Sequence, residues 1–431
     1  MYIIRNGVIV APTTLLFGYE LVVDGDRIAS IAAQGTTHAT PEMGVIDAHG
    51  GFVTPGFVDI HSDFVEQVIS PRPTVLMDMP TALFEAEREL LSHGITTMFH
   101  SLSVHGISAS SKMPLSRQWP NVTKIMDLIS AAKRTEGHNE HLIRHRCHAR
   151  IEVDSVDIFD ELAKRVAAGD CDEISFMDHT PGQGQYRTLE NYRNSSSAAK
   201  RQVTVEDEKD FERVIEQMKA EPHLTYEQLK VLADLALERG IAIASHDDDT
   251  LEKLSLMQSL GCTISEFPVT MEVARAARER GMATVLGTPN ILLGKSHAGN
   301  LSARDAVQAG VASVLCSDYY PTAMLHSAFR MHHDFGLPLE QAFAMLTINP
   351  ARAVHVDDEL GSLEEGKKAD ILIVREVQED ERTFPVITCA LVGGRVVSRS
   401  WYPNLPSASA QLATDAAQAP QAETLVDEEA R

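Results

Sequence analysis

Over residues 1–53 the chain alternates apolar and polar positions in short runs: YIIRNGVIV, YELVVDGDRIASIAA and MGVIDAHGGFV. A period of two predicts half-buried β-strands. Asn6-Gly7 and Asp24-Gly25-Asp26 lie between or inside those runs, where hairpins require their turns. The same alternation returns in ADILIVRE, FPVITCALVGG and RVVSRSWY near the other end. Two all-β segments flanking a long middle predict a small β-sandwich domain built from both chain ends, 1–53 plus 355–402.

The middle, 54–354, repeats a different pattern: an apolar run, a polar motif at its end, then an amphipathic stretch. The runs are 56–61, 94–102, 146–153, 173–179, 241–248, 263–269, 283–290 and 313–321. Between them MPTALFEAERELLSHG, YEQLKVLADLALERG and TMEVARAARERG show helical spacing and close on glycine. Repeated β/α units of this number predict an α/β fold, a (β/α)8 TIM barrel. Two stretches break the pattern. Residues 181–225 insert a polar, helix-prone segment long enough for a lid over the barrel mouth. Residues 405–431 are acidic and low in complexity, and read as a disordered tail.

Composition narrows the function. The 431 residues carry 38 Lys+Arg against 61 Asp+Glu, a net charge of −23. A surface of that sign repels phosphate backbones and argues against nucleic-acid partners. No apolar run is long enough to span a bilayer, which argues against a membrane partner. The N-terminus carries charges throughout, unlike a signal peptide. Cys147, Cys171, Cys262, Cys316 and Cys389 form a scattered set without a CxxC pair. A cytoplasmic location without disulfides fits best. A homo-oligomer is expected.

Active sites of such barrels sit at the C-terminal strand ends. Here those ends carry His61-Ser62-Asp63, Glu152, Asp178-His179, His246-Asp247-Asp248, Glu266 and Asp318. Imidazole and carboxylate together suit zinc, manganese or iron. A bridging carboxylate such as Glu152 could hold two ions about 3.5–4 Å apart. A lone residue of this kind is usually a cap or a core hydrogen-bonder. His93, His100, His105, His141, His145, His148, His332 and His333 are read that way. Convergence of six strand ends is what predicts a divalent metal centre of one or two ions.

GFVTPGFVDIHSD, GITT, the eighth-strand Asp318 and AMLTINPARAVHV…LGSLEEGKKADILIV resemble the amidohydrolase superfamily. More narrowly, PRP (71–73), SFMDHTPGQGQY (175–186), ASHDDDT (244–250), SEFPVTMEVA (265–274), GTPNILLGKSHAGN (287–300) and SDYYP (317–321) resemble its PhnM-like branch, the α-D-ribose 1-methylphosphonate 5-triphosphate diphosphatases of the carbon–phosphorus lyase pathway. The resemblance covers about residues 50 to 375. It implies metal ligands at His61, Asp63, Glu152, His246 and Asp318, with Asp318 also accepting the proton of the attacking water. Glu266 stands where the superfamily has a sixth-strand His, and His179 could supply the missing imidazole. The implied reaction is hydrolysis of a small phosphorylated substrate between the α- and β-phosphorus, releasing pyrophosphate.

Substrate contacts are expected from Arg72, Arg187, Asn290, Lys295, His297 and Tyr320. The family more often has Asn where this chain has Phe64, so an apolar wall replaces a polar contact if residue 64 touches substrate. Two other readings compete: hydrolysis of a cyclic amide or amine on the same scaffold, dihydropyrimidinase- or deaminase-like, and a non-catalytic barrel subunit.

Overall fold

The computed structural model describes residues 1–402 apart from 73, 112, 137–139, 181–183, 185–215, 217–219 and 295–299. Seven strands come first: β1 (Tyr2–Arg5), β2 (Val8–Ala11), β3 (Thr14–Leu16), β4 (Tyr19–Asp24), β5 (Arg27–Ala33), β6 (Gly44–Asp47) and β7 (Phe52–Pro55). Eight follow with helices between them: β8 (Phe57–Ser62), β9 (Ile95–Val104), β10 (Arg144–Glu152), β11 (Glu173–Met177), β12 (Ala242–His246), β13 (Ile264–Glu266), β14 (Ala283–Gly287) and β15 (Val314–Cys316). The chain closes with β16 (Ile371–Glu379), β17 (Arg382–Val392) and β18 (Arg395–Arg399).

β8 to β15 form one parallel sheet in sequence order. It curls shut where Ser62 bridges to Asp318. Asp318 N donates to His61 O and Asp63 N to Asp318 O, both at 2.9 Å. The eight runs read from the sequence are therefore the eight barrel strands. Such strands are buried on both faces, and all ten residues of β9 are buried.

The helices form where their caps and apolar faces agree. Asp78 accepts from Thr81 N at the start of Met79–Ser92, which buries Ala82, Leu83, Ala86, Leu90 and Leu91 on one face. Thr225 and Gln228 make a full capping box at Tyr226–Glu238, and Thr270 caps Met271–Glu279. Each such cap contributes about 1 kcal/mol. Gly94, Gly240 and Gly281 take positive φ just past these helices, as the sequence glycines predict.

The terminal strands build two sheets, ordered β5-β4-β1-β6 and β18-β17-β16-β7-β2-β3. Ile4, Leu21, Val23, Ile28, Val53, Ile371, Ile373 and Leu391 belong to the apolar core of this sandwich. Here one expectation needs correcting. Asp24-Gly25-Asp26 does turn the β4–β5 hairpin, but Asn6-Gly7 is not a hairpin turn. β1 pairs with β4 and β6, whereas β2 pairs with β3 and β7. Asn6, at φ 57°, swings the chain from one sheet to the other. A Cβ on Gly7 would come within 2.7 Å of Val53 and 2.8 Å of Ala48, so only glycine passes that corner.

Phe64 also differs from expectation. It opens the short helix Phe64–Ile69 and packs, 8% exposed, into the cluster of Leu90, Leu325 and Phe329. It is a core residue between helices rather than a substrate wall. All five cysteines are buried and free. Among the described residues no helix is long and apolar enough to cross a membrane. Most of the expected lid at 181–225 and the whole tail at 405–431 lie outside the described residues. Leu224 N donates to Val153 O at 2.7 Å, which returns the chain beside the end of β10.

Candidate active site

The strand ends bring the acids and imidazoles to one rim. Glu266, the last residue of β13, is fully buried and divides its carboxylate between two rings. Its Oε1 lies 2.6 Å from Nδ1 of His61, and its Oε2 lies 3.1 Å from Nδ1 of His246. Those two rings stack at 5.2 Å with an interplanar angle of 21°. Burial holds both imidazoles well below the usual histidine pKa, and the nearby Arg150 charge acts in the same direction. Each is therefore neutral. With Nδ1 donating to Glu266, each Nε2 is a bare lone pair.

A second group lies beside the first. His179 Nε2, His246 Nε2 and Asp247 Oδ2 lie within 4.8 Å of one another. Asp247 Oδ2 is buried, 3.3 Å from His179 and 3.8 Å from His246. The other ring nitrogen of His179 rests on Glu152, the last residue of β10. Burial alone would lower the His179 pKa, but Glu152 and Asp247 outweigh it and raise it to about 9. A buried carboxylate oxygen facing two imidazole nitrogens is a donor set that a borderline divalent cation fits.

Asp318 follows β15 in the left-handed region at φ 59°, and Asp247 follows β12 at φ 53°. Non-glycine residues held there cost about 1–3 kcal/mol each and concentrate at functional sites. Burial pushes the Asp318 carboxyl up to about 7, Asp63 and Asp247 reinforce the rise, and Arg150 opposes it. A Cβ at position 287 would sit 3.1 Å from Asp318 Oδ2, so glycine at the end of β14 leaves this carboxylate its room.

The remaining residues singled out from the sequence are placed as follows. Asp63 Oδ2 pairs with Arg117 Nη2 at 2.9 Å, and Asp63 Oδ1 accepts from Gln67 at 2.6 Å. It stands at the same rim but outside the two convergent groups. Asn290 is buried in the short helix Thr288–Leu293, its Oδ1 without a hydrogen-bond partner among the described residues. Tyr320 is 49% exposed beyond β15, and Arg72 is exposed beyond the first short helix. Arg187, Lys295 and His297 lie outside the described residues.

Three site residues escaped the sequence reading as contributors. Asp247 was visible as the neighbour of His246 but not singled out from it. Arg117 gave no signal: it sits in a short 3-10 turn, about fifty positions from its partners Asp63 and Glu66. Arg150 was legible by parity. His148, Arg150 and Glu152 alternate on β10 and share one face, and the His148 ring stands 5.2 Å from His61. Arg150 is half-buried, and among the described residues its Nε is enclosed without a hydrogen-bond partner and no ion pair holds it. His148 itself is built into the wall, bonded to Ser101, Ser175 and the carbonyl of Ile60.

Comparison with known proteins gives the family and the fold. The profile of the "Amidohydrolase family" matches residues 52–397. The chain is 31% identical over 378 residues to the "Alpha-D-ribose 1-methylphosphonate 5-triphosphate diphosphatase" of Escherichia coli K12, across 86% of this chain and 94% of that one. An imidazolonepropionase of Porphyromonas gingivalis is 27% identical over 160 residues, 35% of this chain and 37% of that one. Among solved structures, N-acetylglucosamine-6-phosphate deacetylase from Pasteurella multocida superposes with TM-score 0.61 at 14% identity, covering 93% of this chain and 100% of that one. Molinate hydrolase superposes with TM-score 0.62 at 14% identity over 99% of both chains.

Proposed function

This chain belongs to the amidohydrolase family, and from that premise we propose that it is a metal-dependent hydrolase cleaving a ribose 5-triphosphate to the 5-phosphate and pyrophosphate. His61, His179, His246 and Asp247, with Glu152 and Asp318 beside them, would hold one or two divalent ions of the zinc, manganese or iron class. Such an ion would supply a water acidified to a pKa of about 7 and a countercharge for phosphate oxygens.

The chain's own residues do the rest. Glu266 fixes the tautomers of His61 and His246 so that Nε2 faces the site. Asp318, shielded from bulk water, accepts the proton of the attacking water and orients it. Asp63, held by Arg117, stands at the same rim. The observation that carries the phosphorylated-substrate reading is Arg150. Among the described residues no carboxylate lies within ion-pair distance of this guanidinium, which on the Glu152 face of β10, in a chain of net charge −23, can meet an anion from outside. The choice of a triphosphate is supported by the relative that aligns over nearly its whole length.

The test is product analysis on metal-loaded protein with α-D-ribose 1-methylphosphonate 5-triphosphate. Pyrophosphate and the 5-phosphate should appear in equal amounts. Orthophosphate as the sole inorganic product, or turnover confined to a cyclic amide or amine, overturns the reading. Arg150→Met should raise KM for the triphosphate at least tenfold while leaving the bound metal in place.

A further inference from the structure

The opposite end of the barrel carries a second cluster of ligand-type side chains. His145 is the second residue of β10, seven positions before Glu152. At about 3.3 Å per residue the two are roughly 23 Å apart along the strand. Glu87 projects from the helix Met79–Ser92 and is fully buried. Its Oε2 receives His141 Nδ1, His145 Nε2 and the amide of Leu142, each at 3.1 Å. Its Oε1 is enclosed with no hydrogen-bond partner among the described residues. Among the described residues no lysine or arginine pairs with it.

We propose that Glu87, His141 and His145 form a second divalent-metal site, of the zinc class, where the barrel meets the sandwich. The ligand atoms of these three residues lie within 4.8 Å of one another. Tetrahedral zinc with bonds of about 2.0–2.1 Å separates its ligands by roughly 3.4 Å. The two 3.1 Å nitrogen–oxygen separations need to open by a few tenths of an ångström, and the two imidazole nitrogens, which lie within 4.8 Å of each other, need to settle at the same spacing. Buried carboxylates are ordinarily paired with a cation or bound to a metal, and Glu87 meets only imidazoles and one amide. One carboxylate and two imidazoles give the mixed set that zinc accepts with water in the fourth place.

The surroundings serve such a site. His100 Nε2 lies 2.8 Å from His145 Nδ1, and the two rings stack at 5.1 Å and 11°. With metal on Nε2, His145 carries its proton on Nδ1, where His100 accepts it. This is the outer partner that metal-bound histidines use for orientation. A cavity of about 610 Å³, lined by His141, His145, Glu136 and Arg144 with Asp26 and Lys368 of the sandwich, gives ion and water access. The alternative is a hydrogen-bonded polar cluster that pins helix to strand and binds no metal.

Metal counting separates the two. Chelator-stripped protein is dialysed against Zn²⁺, and bound zinc is measured by elemental analysis. The wild type should bind one equivalent more than folded His141→Ala. That variant removes a half-buried ring and should keep wild-type activity once reloaded. Glu87→Gln, nearly isosteric but uncharged, should lose the same equivalent. His246→Ala, at the strand ends that carry the proposed active site, should lose zinc there and retain this one. Unchanged stoichiometry in folded His141→Ala and Glu87→Gln overturns the proposal. So does a wild type that binds no zinc beyond what His246→Ala removes. Neither result depends on the substrate of the other site.

Discussion

His61 and Glu266 meet at 2.6 Å, Nδ1 to Oε1, across 205 positions of sequence. The other oxygen of the same carboxylate holds His246 at 3.1 Å. One side chain thus sets the orientation and protonation of two imidazoles from different strands, β8 and β12. Burial raises the Glu266 pKa to about 7, but His148 and Arg150 oppose the rise. A glutamate in place of a histidine at this strand end changes the role of the position. It need not contact metal to control the residues proposed to hold one.

Glu266→Gln tests that role. The amide presents one acceptor and one donor to two ring nitrogens that both need an acceptor. One imidazole must change tautomer and turn its proton toward the proposed metal site. Metal affinity and kcat/KM should each fall about 10–100-fold, the range found when outer partners of metal ligands are removed. Metal titration and steady-state kinetics on the same preparation check this. Wild-type values for both would show that Glu266 is only a core hydrogen-bonder.

Asp318→Asn removes the proposed proton acceptor while keeping shape. Removing a positioned general base typically costs about 10²–10⁴ in rate. The loss should fall on kcat, with the fold unchanged by circular dichroism. Retention of the wild-type rate would refute the assignment.

Much of this was readable before any coordinates. The eight barrel strands were legible because each apolar run is bounded by a polar motif, and Glu152, His179, His246, Glu266 and Asp318 were found at or just past their ends. What failed was pairing at a distance. Asn6-Gly7 announces a left-handed residue, and Asn6 has one at φ 57°. Whether the next strand returns beside the last or joins another sheet is decided by β7 and β16, contributed from far along the chain. Phe64 stands where the family more often has Asn, and would have been an apolar wall had it touched substrate. The short helix it begins turns it into the core instead. Arg117 had no periodic signal, since its loop has no regular repeat.

Arg117 carries the next prediction. Its guanidinium bonds Glu66 Oε2 at 2.6 Å through Nε and Asp63 Oδ2 at 2.9 Å through Nη2. Glu66 is 2% exposed and also accepts from Ser103 N at 2.7 Å. Arg117→Ala leaves this acid buried without a cation, a loss of about 3–5 kcal/mol. Arg117→Lys keeps the charge but not the two-pronged geometry, and should recover only part of it. Urea unfolding of metal-free protein measures both. A change below about 0.5 kcal/mol in the alanine variant would show the triad to be inert.

The sandwich gives a pH prediction separate from the metal chemistry. Glu20 is fully buried. Its Oε2 accepts from Arg5 Nε at 2.7 Å and Gly35 N at 3.0 Å, and its Oε1 from Thr37 N at 2.7 Å. Burial by itself would raise its pKa. The bonds from Gly35, Thr37 and Arg5 outweigh that and lower it from 4.5 to about 2. A carboxyl depressed in the folded state binds its proton more readily when unfolded, so stability rises with pH across that interval. The contribution of Glu20 is full above pH 4.5 and drains away as pH falls toward 2. Glu20→Gln cannot titrate and cannot accept at its amide nitrogen. Its stability deficit relative to wild type should be largest at pH 7 and shrink between pH 4.5 and 3. Urea midpoints of both proteins at pH 7, 4.5 and 3 decide the matter, and a deficit of constant size across the series would contradict it.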